Sequence, residues 1–294
     1  MLRFGLFITF MVLCFTLAIA PAAFSQWQQV ALDGYIVRGV VFVPGASDTA
    51  YAAVASDQGI YRSIDQGQTW QLVAEIPYAL DFSIDPINTR VVFAILQDAI
   101  YKSTDGGDSW FRSDSGLNFR PLEYGPTDIA VNPFAPETVY VTTFEFVGCS
   151  DVFRSGDGGD TWDPVPLPAP HNTMAIAMDP VRQGTMYIAA AAPDPLYRST
   201  NSGASWDTSL VETIEDIAID PLNPDVVYAV SSDLYSPGVY RSTDGGHTWT
   251  RFAEDAGLTN PRLYAIAVNP INPAIVLAGG YGIYTVSYTH LTLP

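Results

Sequence analysis

Val239–Trp249 reads VYRSTDGGHTW, and the chain writes this stretch four more times: Ile60–Trp70 (IYRSIDQGQTW), Ile100–Trp110 (IYKSTDGGDSW), Val152–Trp162 (VFRSGDGGDTW) and Leu196–Trp206 (LYRSTNSGASW). Its serine recurs at 63, 103, 155, 199 and 242, so the spacings are 40, 52, 44 and 43 residues. A period of that size means stacked supersecondary units. Inside the box, the aspartate can accept backbone N–H groups further along a tight turn. The following glycine can take positive φ without a Cβ clash. The serine and threonine hydroxyls close the network, and the tryptophan supplies a large face for packing between neighbouring units. Asn201 replaces the aspartate in the fourth copy, and its amide oxygen still accepts. The boxes, with Asp65, Trp70, Asp105, Trp110, Asp157, Trp162, Asn201, Trp206, Asp244 and Trp249, therefore read as structural.

A second phrase precedes each box, seen in Asp128–Thr142 (DIAVNPFAPETVYVT), Asp216–Val230 (DIAIDPLNPDVVYAV) and Ala265–Gly279 (AIAVNPINPAIVLAG). An apolar run, a Pro/Asn turn and a second β-branched run make strand, turn and strand. The Tyr-Arg-Ser run is a third strand, and the run led by the box tryptophan is a fourth. Four strands per 40–50 residues predict an all-β propeller of four-stranded blades. Trp27–Val30 resembles a fourth strand and completes the last unit, which favours six blades; seven or more is the alternative.

These boxes resemble the Asp-box (BNR-type) repeats of bacterial sialidases, xyloglucanases, sortilin-type receptors and photosystem-II assembly factors. The resemblance covers residues 39–285 and implies the fold more than the activity, since those families differ in chemistry. Phe119-Arg120-Pro121 is similar to the Arg-Ile-Pro element of sialidases, but it follows the second box instead of preceding the first. Ser56-Asp57-Gln58-Gly59 resembles an acidic loop of xyloglucanases and is one residue short.

The ends of the chain carry their own signals. Arg3 followed by the apolar run Phe4–Ala20 and small residues at Ala23 and Ser25 reads as a signal peptide over residues 1–25, with an uncleaved anchor as the alternative. Localisation is then secreted, periplasmic or cell-surface. The propeller occupies residues 26–285. Val286–Pro294 (VSYTHLTLP) resembles a translated sequencing adaptor, against the alternative of a genuine polar tail. A net charge of −18 excludes a broad phosphate-binding surface, so nucleic acid is not an expected partner. Five of the thirteen basic residues (Arg62, Lys102, Arg154, Arg198, Arg241) sit inside the boxes. Cys149 has no partner once Cys14 leaves with the signal. With His171 and His247 the only histidines ahead of the tail, a His-rich metal site or a Ser-His-Asp triad is not supplied.

Function is expected on the face opposite the boxes, where the connections vary in length. Asp81, Asp128 and Asp216 share one repeat position, read as immediately before the innermost strand. Three carboxylates there suit a cation, a cationic group or an acid/base pair on a glycoside; alternatively each satisfies a turn N–H in its own blade. With Asp57 they are the candidate catalytic residues. Arg120, Glu123, Tyr124, Tyr235, Arg262 and Tyr264 are the candidate binding residues, the aromatics as sugar platforms. No cofactor is expected, although calcium at the Asp157, Asp160 and Asp163 group is an alternative. The reading is a monomeric module binding a polysaccharide, glycoprotein or protein partner. A glycoside hydrolase is the alternative.

Overall fold

The computed structural model describes residues 28–46, 48–54, 59–74, 76, 79–117, 119–120, 124–145, 152–165, 173–190, 196–210, 212–233, 235–252, 258 and 262–287. They form antiparallel sheets only. Strands β1 (Gln28–Phe42), β2 (Ala50–Val54), β3 (Gly59–Ser63) and β4 (Gln71–Ala74) come first. A four-stranded blade follows from β5 (Ala79–Ile84), β6 (Val92–Leu96), β7 (Ala99–Ser103) and β8 (Phe111–Arg112). The next is β9 (Tyr124–Val131), β10 (Val139–Glu145), β11 (Val152–Ser155) and β12 (Asp163–Val165). Then come β13 (Thr173–Met178), β14 (Met186–Ala190), β15 (Leu196–Ser199) and β16 (Asp207–Leu210). The last separate blade is β17 (Asp216–Ile219), β18 (Val227–Ser231), β19 (Gly238–Ser242) and β20 (Thr250–Phe252). Finally β21 (Ala265–Val268) and β22 (Ile275–Ser287) join the first strands in one six-stranded sheet, ordered β21-β22-β1-β2-β3-β4.

Strand β1 serves two partners. Its first half pairs with β22 (Gln28 opposite Thr285, Gln29 opposite Tyr284), and its second half with β2 (Val40 opposite Ala52). β22 continues past Tyr284, and Val286, placed by the sequence in the adaptor-like tail, is buried. Trp27 lies outside the described residues.

The second strand of each blade is a continuous apolar run (Val92–Ile95, Met186–Ala190, Val227–Val230) because it is buried on both faces. Each blade packs against two neighbours, so neither face meets water. Tyr187, Ala189, Ile217 and Val227 share one such interblade cluster, and Phe93, Ile95, Val139 and Val141 another.

The boxes behave as their chemistry demands. In each, the serine Oγ donates to the Asp or Asn Oδ1 at 2.7–2.9 Å and accepts the glycine N–H at 2.8–2.9 Å. The same Oδ1 accepts the N–H of the Ser/Thr four residues on. Asn201 preserves the pattern, its Nδ2 donating to Ser205 Oγ at 2.8 Å. Two successive residues take positive φ, and in the first and fourth copies Gln66 (64°) and Ser202 (57°) do so without being glycine. The tryptophans pack between blades: Trp162 donates to Ser113 O of the preceding blade at 2.9 Å, and Trp249 to Ser209 Oγ at 3.1 Å. Both carboxylate oxygens of Asp157 are taken by Ser155, Asp160 and Thr161. Among the described residues no group of three or more His, Cys, Asp or Glu is arranged to hold a metal ion.

Two outcomes follow. Ser103 is fully buried, and Ser103→Ala leaves the Gly107 N–H unpaired, which costs about 1–3 kcal/mol and lowers the urea midpoint. Hydrogen bonds from Ser109 and Ser103 hold the Asp105 carboxyl down at about 2, and Asp65, Asp157 and Asp244 are depressed by equivalent bonds. Their unfolded values lie near ~3.9. The boxes therefore contribute stability above that value and lose it as pH falls through about 2, which an acid titration followed by circular dichroism reads out.

Candidate functional site

The inner strands carry a repeated irregularity. Pairing jumps from Val37/Val54 to Gly39/Ala53 in the first blade and from Ala79/Leu96 to Asp81/Ile95 in the second. It jumps from Pro126/Thr143 to Asp128/Thr142 in the third and from Thr173/Ala190 to Ala175/Ala189 in the fourth. Each jump leaves one residue unpaired: Arg38, Leu80, Thr127 and Met174. Such bulges re-aim a side chain. Glu215 and Tyr264 hold the same place ahead of β17 and β21, their N–H groups bonded to Val230 O and Gly279 O. All six line a cavity of about 120 Å³ at one end of the central channel, together with Asp81, Asp128 and Asp216. Asp81 and Asp128 thus lie within the inner strands, not before them; the bulge, invisible in a propensity pattern, adds the extra residue.

The three aspartates are brought together but do different things. Asp128 Oδ1 accepts the N–H of Ile129 on its own strand, and Oδ2 accepts the N–H of Ile176 on the next blade, both at 2.6 Å. Asp216 repeats this with Ile217 at 2.6 Å and Ile266 at 2.7 Å. Each clasps two inner strands. The clasp works because Ala175 and Ala265, the next residues around the ring, have no acceptor of their own. Asp81 is followed by Asp128, which already occupies the N–H it would need. It turns to the Asp128 carboxylate instead, and the hydrogen bond between them pushes the Asp81 carboxyl up and that of Asp128 down. It also leans towards Gly39, where a Cβ would stand 2.6 Å from its Oδ1 and 2.7 Å from its Cα. Only glycine fits there.

Burial raises all three carboxyls, Asp81 and Asp216 well above the ordinary range; repulsion from Asp128 adds to both. Glycoside hydrolysis uses two carboxyl groups roughly 5–9.5 Å apart. A hydrogen-bonded pair such as Asp81 and Asp128 is too close for that role. Asp128 and Asp216 join blades.

Arg38 is the cation of this cavity. Its guanidinium lies 4.2 Å from the Tyr264 ring centroid, and its buried Nε has no hydrogen-bond acceptor among the described residues. Glu215 accepts from Ser232 Oγ. The other candidates are scattered. Arg120 pairs with Glu145 at 3.2 Å, and Tyr124 packs on Phe119 with ring centroids 5.4 Å apart, forming a patch on the third blade. Tyr235 is 91% exposed at a loop tip where Asp233 Oδ1 accepts its N–H at 2.7 Å. Arg262 is half-buried beside Gly280. Asp57 and Glu123 lie outside the described residues. Glu215 and the channel role of Arg38 escaped the sequence reading; the signal was their place, one residue ahead of the shared Asp/Gly/Ala position.

The repeat and the sheets define an Asp-box β-propeller, and the BNR/Asp-box repeat family matches residues 61–72. Within that class the chain resembles xyloglucanases. It is 25% identical over 247 residues to the xyloglucanase Xgh74A of Acetivibrio thermocellus, an alignment taking in 66% of this chain and 29% of that protein. The chain thus spans less than a third of that relative's length. The solved GH74 xyloglucanase from Xanthomonas campestris superposes with a TM-score of 0.62 at 19% identity, over 92% of this chain and 55% of that one. A gluconolactonase from Xanthomonas campestris gives a TM-score of 0.67 at 12% identity, over 90% and 89% of the two chains. At these identities the structural likeness is one of fold.

Asp81→Asn supplies a donor to Asp128 without needing a proton. A raised folded pKa means that the wild-type trio is most stabilising below about 4 and loses that contribution as pH rises through the raised values. Thermal melts from pH 5 to 9 are therefore expected to show wild-type Tm falling with pH and a flatter profile, with higher Tm at pH 8, for Asp81→Asn.

Proposed function

We propose that this chain is a six-bladed propeller of a xyloglucanase-type glycoside hydrolase, acting outside the cell on a xyloglucan-like polysaccharide laid across the face opposite the boxes. The observation that carries the substrate class is the sequence similarity to xyloglucanases over two thirds of the chain. It favours the hydrolase over the binding module. Six blades are supported by the inner strands, which contact one another in the cyclic order β1, β5, β9, β13, β17, β21 and back to β1. The aromatic side chains on the loop face, Tyr264 over Arg38 and the exposed Tyr235 and Tyr281, suit the apolar faces of pyranose rings.

The bond-breaking carboxylates are assigned to the loops and not to the channel, where Asp81, Asp128 and Asp216 are tied to backbone and to each other. Asp57, in the loop that resembles the xyloglucanase acidic loop, is the first candidate. Residues 26–284 are to be incubated with xyloglucan oligosaccharides, with reducing ends and binding measured separately. The expected result is turnover that Asp57→Asn lowers by about 100-fold or more while binding persists. Binding without wild-type turnover restores the binding-module reading. Neither turnover nor binding overturns the substrate class.

A further inference from the structure

The joints between neighbouring blades are not built alike, and one repeat position marks the difference. The third residue after the box tryptophan is Ser113 in the second blade and Ser209 in the fourth, but Val73 in the first and Val165 in the third. Ser113 Oγ donates across to Gly159 O in the box of the third blade at 2.8 Å, and the Trp162 indole N–H returns to Ser113 O at 2.9 Å. Ser209 Oγ donates to Gly246 O of the fifth blade in the same way, and Trp249 donates to Ser209 Oγ at 3.1 Å. Serine at this place latches a blade to the next box; valine has no proton to donate. Trp110, which meets Val73 across its joint, donates to its own Gly107 O. Trp206, packed with Val165, has a buried Nε1 with no acceptor among the described residues.

Joints without the latch are tied in another way, with one exception. Asp128 clasps the third blade to the fourth, and Thr173 Oγ donates back to Thr143 O at 3.0 Å. Asp216 clasps the fifth blade to the sixth, and strand β1 runs through the sixth and the first. Between the first and second blades no hydrogen bond or ion pair crosses among the described residues. Apolar packing does not make up for it. The buried cluster there is Ala53, Ile60, Ala79, Phe82 and Ala94, and alanine has little apolar area to remove from water. A cavity of about 40 Å³ runs along this joint, lined by Val41 and Phe82 on the inner strands and by Val73, Gly107 and Trp110 at the rim. Tyr187 OH donates to Gly245 O of the next box at 2.9 Å, whereas its counterpart Tyr51 lines the cavity. Close contact is at the axis, where a Cβ on Gly39 would stand 2.7 Å from the Asp81 Cα.

We propose that the joint between the first and second blades is where the ring opens, the first blade pivoting about the Gly39–Asp81 contact while the other joints stay latched, clasped or paired. Folded proteins open locally where contacts are fewest, below the free energy of global unfolding. Motion here exposes the cavity beside Trp110 while the aspartate clasps hold the channel. The inference is independent of the glycan reading.

Single cysteines at Ala94, Val141 and Ala189 report this joint and the two latched ones, each position being fully buried. In the full chain carrying Cys14→Ser and Cys149→Ser, reaction with a maleimide under native conditions is followed by mass spectrometry, and melting confirms that each variant folds. Ala94→Cys is expected to react about 10-fold faster or more than Val141→Cys and Ala189→Cys. Adding Val73→Ser supplies a latch and slows Ala94→Cys by about 5-fold or more, leaving Ala189→Cys unchanged. Ser113→Val removes a latch and speeds Val141→Cys. The unsubstituted chain gives a separate reading: Trp110 and Trp249 are both half-buried, and the Trp110 indole N–H is expected to exchange with deuterium faster. Equal labelling at the three positions overturns the proposal, as does Trp110 exchange no faster than that of Trp249. A fast Ala94→Cys that Val73→Ser leaves unchanged also overturns it, since the cysteine itself then loosens the site.

Discussion

Burial of each middle strand on both faces is the constraint from which the rest of this structure follows. A sheet with one wet face can stand alone; a run such as Val227–Val230, with no exposed residue, cannot. Each blade must be sandwiched, and a stack of sandwiched blades has two free ends unless it bends into a ring. Fully burying a Val, Leu or Ile is worth about 1.5–3 kcal/mol. The interblade clusters are therefore the main stabilising term, with the boxes setting the hairpins that bring them into contact.

Against that background the channel aspartates take on a plain meaning. Inner strands converge where side chains must be small, and at Gly39, Ala175 and Ala265 they are. The space left is filled by carboxylates that reach across to the neighbouring backbone. Every N–H they satisfy would otherwise face a cavity. The arrangement tolerates an acid only when the next blade offers a small residue, and Asp81 followed by Asp128 breaks that rule. The result is a pair of buried carboxyls facing each other in the middle of an acidic protein.

Much of this was legible in the sequence, and the boundary is physical. The boxes were readable because their hydrogen bonds run between residues two to four apart, so the chemistry is local. The strands were readable because two-sided burial leaves unbroken apolar runs. The clasp from Asp128 to Ile176 was not, since it depends on a backbone group 48 residues away and on what stands at Ala175. The bulges at Arg38, Leu80, Thr127 and Met174 leave no mark in composition.

The double use of β1 has a temporal consequence. Gln29 Nε2 donates to Tyr281 O across 252 residues of chain, so the seam joins segments far apart in the chain. Contacts of such separation form late, because loop closure precedes any gain. Until they form, the middle strands of the first and last sheets each lack a neighbour and expose apolar edges. Folding thus passes through an interval in which the ring is unsealed. Once the seam closes, the ring has no free blade edge.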